Sequence, residues 1–441
     1  MKASALKYGI LSTVIFLSVL IIILVPFHAF LTVWGASHFG HYITLRLWDE
    51  ALLLVCGLGA LYLVIFDRKV RTQTLTRKLT WLILVYCLVQ LIWGLVAYKH
   101  HSVTAKALGY GLVVNIRFLL FFIVAWVIAV RSKRLEGQWP RLLLWPAVVV
   151  VIFGLLQILV LPTDFLRHFG YSDQTIAPYE TINHNSHYIR IASTLRGANP
   201  LGAYLIIPIT ALAVLLRRAR ISWRTVLGLI AALIVLFFSF SRSSWIGALL
   251  SVGIVIAARV LDSSQRTAYL RLLGIAGGIL VILLASIAFV FRHNARFENI
   301  AFHTEKHSII KTTSDQGHAA ALRTGMHDIA QQPLGSGTGT AGPASVYNNN
   351  KTRIAEDYYL QIGQETGVIG LLLFLAINAI VGYLLWVRRD DPLALALFAS
   401  LIGISLVNLL SHAWTDDTLS YIWWGLAGMA IARMPGESTS Q

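Results

Sequence analysis

The sequence predicts an all-α polytopic membrane protein of about twelve transmembrane helices with a large helical extracytoplasmic loop before the tenth. Three observations carry this reading. Of the 441 residues, 57% are hydrophobic and only 13% are charged, against about 25% charged in a soluble domain. Apolar runs long enough to cross a bilayer recur along the chain. Lys and Arg collect in alternate connections between those runs, as the positive-inside rule requires.

The runs fall at about 9–34, 48–66, 80–98, 108–130, 142–162, 200–216, 223–240, 243–259, 271–291, 367–387, 393–412 and 421–433, judged by a span of about 20 residues. The first resembles a signal peptide. Its apolar run is too long and it lacks a small-residue cleavage site, so it reads as a span. An even number of spans puts both termini on one side. With that side cytoplasmic, 21 of the 36 Lys and Arg lie in inner segments. The net charge of +16 is therefore mostly a topology signal, and nucleic acid is not expected as a partner. All fourteen histidines fall in outer loops or outer halves of spans. Cys56 and Cys87 sit in apolar runs and form neither a metal nor a disulfide pattern.

Three regions follow: a membrane bundle of spans one to nine over 1–291, with an outer loop at 163–199; an extracytoplasmic loop domain at 292–366; and spans ten to twelve with a cytoplasmic tail over 367–441. Long outer loops usually carry function. Within the second, residues 317–332 read as a helix with Leu322, Met326 and Ile329 on one face, stopped by Pro333. The glycine-rich LGSGTGTAG that follows reads as mobile, and 353–366 as a second amphipathic helix leading through Gly367 into the next span. No fixed-period or inverted repeat is visible.

The stretch Arg190 to Gly202, RIASTLRGANPLG, joins a polar outer loop to a span. Asn199 reads as the helix N-cap and Pro200 as its first residue. Such a helix turns its free N–H groups and positive dipole end outward. With Arg190 and Arg196 just before it, the combination suits a phosphate or pyrophosphate. The plainer alternative is a capped helix with interfacial arginines.

Arg242, in FFSFSRSSWIG between two short spans, reads as a phosphate clamp beside Arg190, or as a side chain snorkelling to head groups. Arg117 lies inside span four, which has no acid of its own. It is a substrate-binding candidate, or else a structural partner of Asp49 or Glu50. Glu356 and Asp357 precede span ten, where a carboxylate could take a proton from a sugar hydroxyl, or simply pair with Arg353 on a solvated face. Arg323 and Arg353 could hold phosphates or acidic sugars. His184 with His187, and His303 with His307, have metal-like spacing. No Cys or carboxylate completes either set, so neither metal nor cofactor is expected.

In order and topology these pieces resemble the O-antigen ligase and O-antigen polymerase family of bacterial membrane glycosyltransferases. Arg190 with STLRGANPLGAYL is similar to the family's arginine before a Pro/Asn-rich helix start. SRSSWIGALL is similar to its Ser-Arg segment between spans. PLGSGTG, followed by EDYYLQIGQETGVIGLLLFL, is similar to its Pro-Leu-Gly-x-Gly piece and the His-Asn-x-x-Leu segment ending in Glu-x-Gly-x-x-Gly. One position departs. Family ligases have His and Asn where this chain has Glu356 and Asp357, and that His is their proposed base.

The resemblance implies a glycan donor on undecaprenyl pyrophosphate, a glycan or lipid acceptor, and a site at the outer face of the bacterial cytoplasmic membrane. Arg190 and Arg242 would hold the diphosphate, Arg196 and Asn199 would assist, and Glu356 would serve as base. Asp357 or a loop histidine is the alternative base. Polymerase and ligase share every motif named here. A transporter or flippase for lipid-linked glycan, or a non-catalytic scaffold of envelope glycan assembly, remains the other reading. The latter would not bring Arg190, Arg242 and Glu356 together.

Overall fold

In the computed structural model, described over residues 2–132, 135, 137–182, 185–218, 222–261, 314–349, 352–354 and 356–432, the chain is mostly helical. The helices are α1 Lys2–Leu24, α2 His28–Phe39, α3 Tyr42–Leu45, α4 Trp48–Phe66, α5 Arg68–Leu75, α6 Lys78–Lys99, α7 Ala105–Arg131, α8 Trp139–Leu159, α9 Ala198–Arg218, α10 Trp223–Phe238, α11 Arg242–Leu261, α12 Ser314–Gln331, α13 Tyr358–Val387, α14 Pro392–Asn408 and α15 Asp417–Ala432. A short antiparallel hairpin, β1 Glu180–Ile182 with β2 Asn185–Arg190, is the one departure from an all-helical chain among the described residues.

Among those residues, eight helical stretches are long and apolar enough to cross a membrane: Ala5–Phe39, Tyr42–Phe66, Lys78–Lys99, Ala105–Arg131, Trp139–Leu159, Ala198–Leu216, Arg242–Leu261 and Tyr358–Val387. Trp223–Phe238 and Pro392–Asn408 are shorter apolar helices. The expected span at 271–291 lies outside the described residues, as do His184, His303 and His307. Helix α15 has 16 residues and is buried along its length after Asp417.

The bundle has two unlike ends. One carries the basic connections, where Asp67 caps α5 through Lys69 N at 3.1 Å and pairs with Arg131 at 2.9 Å. The other gathers the kink between α1 and α2, the α10–α11 turn, the hairpin, the segment before α13 and the α14–α15 turn. Cross-links hold these together: Thr194 Oγ1 donates to Pro26 O at 2.8 Å and Thr418 Oγ1 to Val25 O at 2.9 Å.

Packing follows small residues and aromatics. Gly425 and Gly428 of α15 lie flat against Phe121 and the Phe122 carbonyl of α7. Trp414, Trp423 and Trp424 fill the space beside Phe118. Helices α11 and α14 approach through Gly247, Ser251 and Gly403. Close backbone contact of this kind is how helices gain attraction in an apolar solvent.

The glycine-rich segment differs from expectation. It is packed into the bundle rather than mobile. Gly335, Gly337, Gly339 and Gly342 all have positive φ, which lets a bare backbone run against α6 and α7. A Cβ on Gly337 would strike Ala97, and one on Gly111 would lie 2.9 Å from Gly339 Cα. Thr338 is fully buried and donates to Gln90 O at 2.7 Å. Glu365 accepts from Gly339 N at 2.8 Å and Asn115 Nδ2 at 2.6 Å, so a buried acid anchors the segment.

Helix α13 also begins later than expected, at Tyr358, and runs through a break at Gly367, where φ is 66° and ψ −165°. Both freed helix ends find partners in the glycine segment. Ser336 N donates to Gln364 O at 2.9 Å, Gly337 N to Glu365 O at 2.7 Å, and Val368 N to Pro333 O at 2.9 Å. Broken helices survive at membrane depth only when neighbours satisfy the backbone in this way. Gly367→Ala would place a Cβ against Pro333 O in a disfavoured backbone region. It should lower the thermal stability of the detergent-solubilised protein by the equivalent of about 2–4 kcal/mol. Gly253→Ala, whose Cβ meets nothing within 4 Å, should leave the melting temperature unchanged.

Candidate active site

The segment from Arg190 to Asn199 is fixed at nearly every residue. Ser193 is buried with φ 51°. Its N–H donates to Gln157 Oε1 at 2.8 Å and its Oγ to Val150 O at 2.6 Å, both on α8. Ile191 N donates to Phe238 O at 3.3 Å and Arg190 Nε to Ser239 O at 3.0 Å. These bonds tie the end of β2 to the α10–α11 turn, the turn that delivers Arg242. Phe240 makes that turn with φ 49°.

Two helix N-termini stand together here. Gly202, in the first turn of α9, packs on Ser241 and Ser244 at the start of α11, and a Cβ on it would lie 2.7 Å from Ser244 Oγ. Both N-termini point toward the loop-rich end, so their dipole ends add. Arg190 and Arg242 are near enough to feel each other. Burial pushes the Arg190 guanidinium down from its ordinary range, Glu180 pulls it partly back, and the Arg242 charge adds the smallest effect, downward.

Asn199 is not the cap that the sequence suggested. Helix α9 starts two residues before Pro200, at Ala198. The Asn199 side chain turns instead to Arg190, accepting from Nη2 at 2.5 Å. Glu180 takes up the helix end, accepting from Ala198 N at 3.3 Å through Oε1 and facing Arg190 Nη1 at 3.5 Å through Oε2. The hairpin register pairs Glu180 directly with Arg190. A carboxylate thus occupies the place where the sequence analysis expected a phosphate. Arg190 also lines a cavity of about 340 Å³ with Gln157, Tyr179, Tyr188, Phe238 and Phe240. Neither Arg242 nor Glu356 is on its wall.

A second group lies at the other end of the same segment. Arg196 faces Asp416 at 4.0 Å. His412, in the turn between α14 and α15, feels the charges of both Glu356 and Arg196. Glu356 is partly buried and sits before α13, not on it, with φ 56°. Such a left-handed residue is uncommon outside glycine and gathers at functional positions. Asp357 is the N-cap of α13, accepting from Leu360 N at 2.9 Å. Burial raises its carboxyl above the ordinary range, against the lowering effect of its backbone bonds.

The remaining candidates are placed as follows. The Arg353 guanidinium turns to α12 and the glycine segment, bonding Asp328 Oδ2 at 2.7 Å and Ser336 Oγ at 3.0 Å. Arg323 is exposed on α12. Arg117 is buried, bonding Glu50 at 2.5 Å and Thr415 O at 2.8 Å and pairing with Asp417. The Glu50 partner was foreseen as its structural alternative; Asp417, from the far end of the chain, was not.

Two residues of the site escaped the sequence analysis. Glu180 lies in YETINHNSHYIR, whose alternation around an Asn-His pair is a hairpin signal. His412 stood only among the outer histidines. Burial pushes its imidazole down to about 4. The folded value then lies below the unfolded one of about 6.5, so the unfolded chain binds the proton first. Stability is lost as pH falls from about 6.5 toward 4, by roughly 3 kcal/mol in all. Thermal unfolding between pH 7 and pH 4 should therefore fall less steeply in His412→Asn than in the wild type; parallel profiles would contradict the burial argument.

No curated protein matches the chain. Residues 227–375 match the family described as O-antigen ligase. The matched stretch runs from α10 to the first half of α13 and holds Arg242, Arg323, Arg353, Glu356 and Asp357. Over this stretch the chain is similar to the O-antigen ligase family, and its long apolar helices are those of a multi-pass membrane protein.

Proposed function

We propose that the protein transfers a glycan from undecaprenyl pyrophosphate to an acceptor hydroxyl, as a ligase or polymerase at the outer face of the bacterial cytoplasmic membrane. About twelve spans, with both termini in the cytoplasm, would place the loop-rich end outside. One arrangement supports the reading: Arg190 is bonded to the α10–α11 turn that leads into Arg242, beside the contact between the starts of α9 and α11. Departure of a diphosphate develops negative charge, and fixed donors stabilise it most in the transition state. Two guanidiniums and two helix ends supply that without a metal at the phosphate.

Glu180 holds the seat as an internal anion until the donor arrives, and Asn199 orients Arg190. Glu356 takes the proton of the acceptor hydroxyl, and in-line attack inverts the anomeric carbon. Its neighbour His412 and the cation Arg196 set the local field, and Arg196 steers the acceptor or donor. Asp357 contributes by starting α13 so that Glu356 is held out of the helix. Arg353 fixes the glycine segment to α12, and the exposed Arg323 meets acidic sugars. Arg117 acts from below, holding the α14–α15 turn that presents His412.

Replacing Arg190 or Arg242 by Ala should cut glycan transfer by roughly 10²- to 10³-fold, with the protein still inserted in the membrane. Gel analysis of surface glycan in a complemented deletion strain reads this. Near-normal glycan from either variant removes the clamp. Glu356→Gln should keep donor binding and lose turnover; retained turnover moves the base elsewhere.

A further inference from the structure

Beneath the α14–α15 turn lies a charge cluster of which the proposed transfer reaction uses only Arg117, and that only as a support. His28 comes from the α1–α2 kink, Asp49 and Glu50 from α4, Arg117 from α7 and Asp417 from the start of α15. His28 and Asp49 are buried, Asp49 completely. Arg117 serves Glu50 Oε1 through one nitrogen and Asp417 Oδ1 through another. That leaves Asp49 and the second Asp417 oxygen facing His28.

The geometry of the histidine is informative. Its Nε2 lies 3.0 Å from the Arg46 carbonyl, which can only accept, so Nε2 carries the proton. In the neutral ring Nδ1 is then a lone pair, and it faces Asp417 Oδ2 at 3.5 Å. Two acceptors opposed in a buried site need a positive charge between them. Neither oxygen of Asp49 accepts a hydrogen bond of good geometry, although Oδ1 lies 3.3 Å from His28 Nε2. Direct charge-assisted bonds would be shorter, about 2.7–2.9 Å. The 3.5 Å between Nδ1 and Asp417 Oδ2 is instead close to that of neighbouring ligands around one ion, since bonds of about 2.0–2.1 Å at tetrahedral angles leave ligand atoms about 3.3–3.4 Å apart. One ligand atom from each of His28, Asp49 and Asp417 lies within 4.8 Å of the other two.

Charge points the same way. Three carboxylates share one guanidinium, and an unpaired buried carboxylate is costly. A backbone carbonyl on the far nitrogen is the usual way a metal-binding imidazole is oriented. We infer that His28, Asp49 and Asp417 bind one divalent cation of the zinc or manganese class, with Arg46 O fixing the ring. The ion joins the first, second and last spans of the described bundle. Its role is structural and stands apart from the transfer reaction.

The test uses the full-length protein, purified in detergent without chelator. Elemental analysis should find about one zinc or manganese per chain. EDTA should lower the melting temperature, and micromolar Zn²⁺ or Mn²⁺ should restore it. Asp49→Asn and His28→Gln should each lose the metal and the response to EDTA. The wild-type measurements stand even where a variant fails to fold. A metal-free wild type indifferent to EDTA and to added ions overturns the site, and so does metal retained in Asp49→Asn. Stabilisation of metal-free protein by mild acid alone would show an imidazolium holding the two carboxylates, and would equally overturn it.

Discussion

Like charges held side by side in a partly dry site repel, and a fold that keeps them so must supply what they need. Arg190 is largely removed from water and lies within the field of Arg242. The chain meets the demand with Glu180, Asn199 and the Ser239 carbonyl. Most of the surrounding architecture serves this arrangement. The left-handed Ser193, the strapped segment after β2 and the serine contacts of Gly202 all fix where the two helix ends meet. Under the proposed function, a site built this way would be pre-organised for the leaving diphosphate.

The second half of the site depends on a different device. A glycine segment that could have hung in solvent is drawn into the bundle, and its backbone satisfies a helix broken at membrane depth. Glu365, Asn115 and Gln90 make the polar core that receives it. Asp357 then restarts the chain as a helix, and Glu356 is left at the rim beside His412. Positioning of the candidate base is thus settled by residues that carry no chemistry themselves.

Much of this was legible in the sequence. Long apolar runs and the placement of Lys and Arg announce a helical membrane bundle, because bilayer thickness and translocation act on composition directly. The segment from Arg190 to Gly202 and the isolated Arg242 stood out because charge near a span is costly. What was not legible is long-range. Nothing local says that Glu180 displaces Asn199 as the cap of α9, since that depends on the hairpin register. Nothing local ties Arg117 to Asp417, some three hundred residues away in the chain. The glycine segment read as mobile because flexibility in the unfolded chain and close packing in the folded one favour the same residue.

The break at Gly367 has a mechanical meaning. The halves of α13 before and after Gly367 share one peptide joint, and the glycine segment grips both: Pro333 O holds Val368 on one side, while Ser336 N and Gly337 N hold Gln364 and Glu365 on the other. Neither half can swivel without loosening that grip. A tilt of the later half is therefore felt first at the stem of the glycine segment, and only through it at the start of α13, next to Glu356.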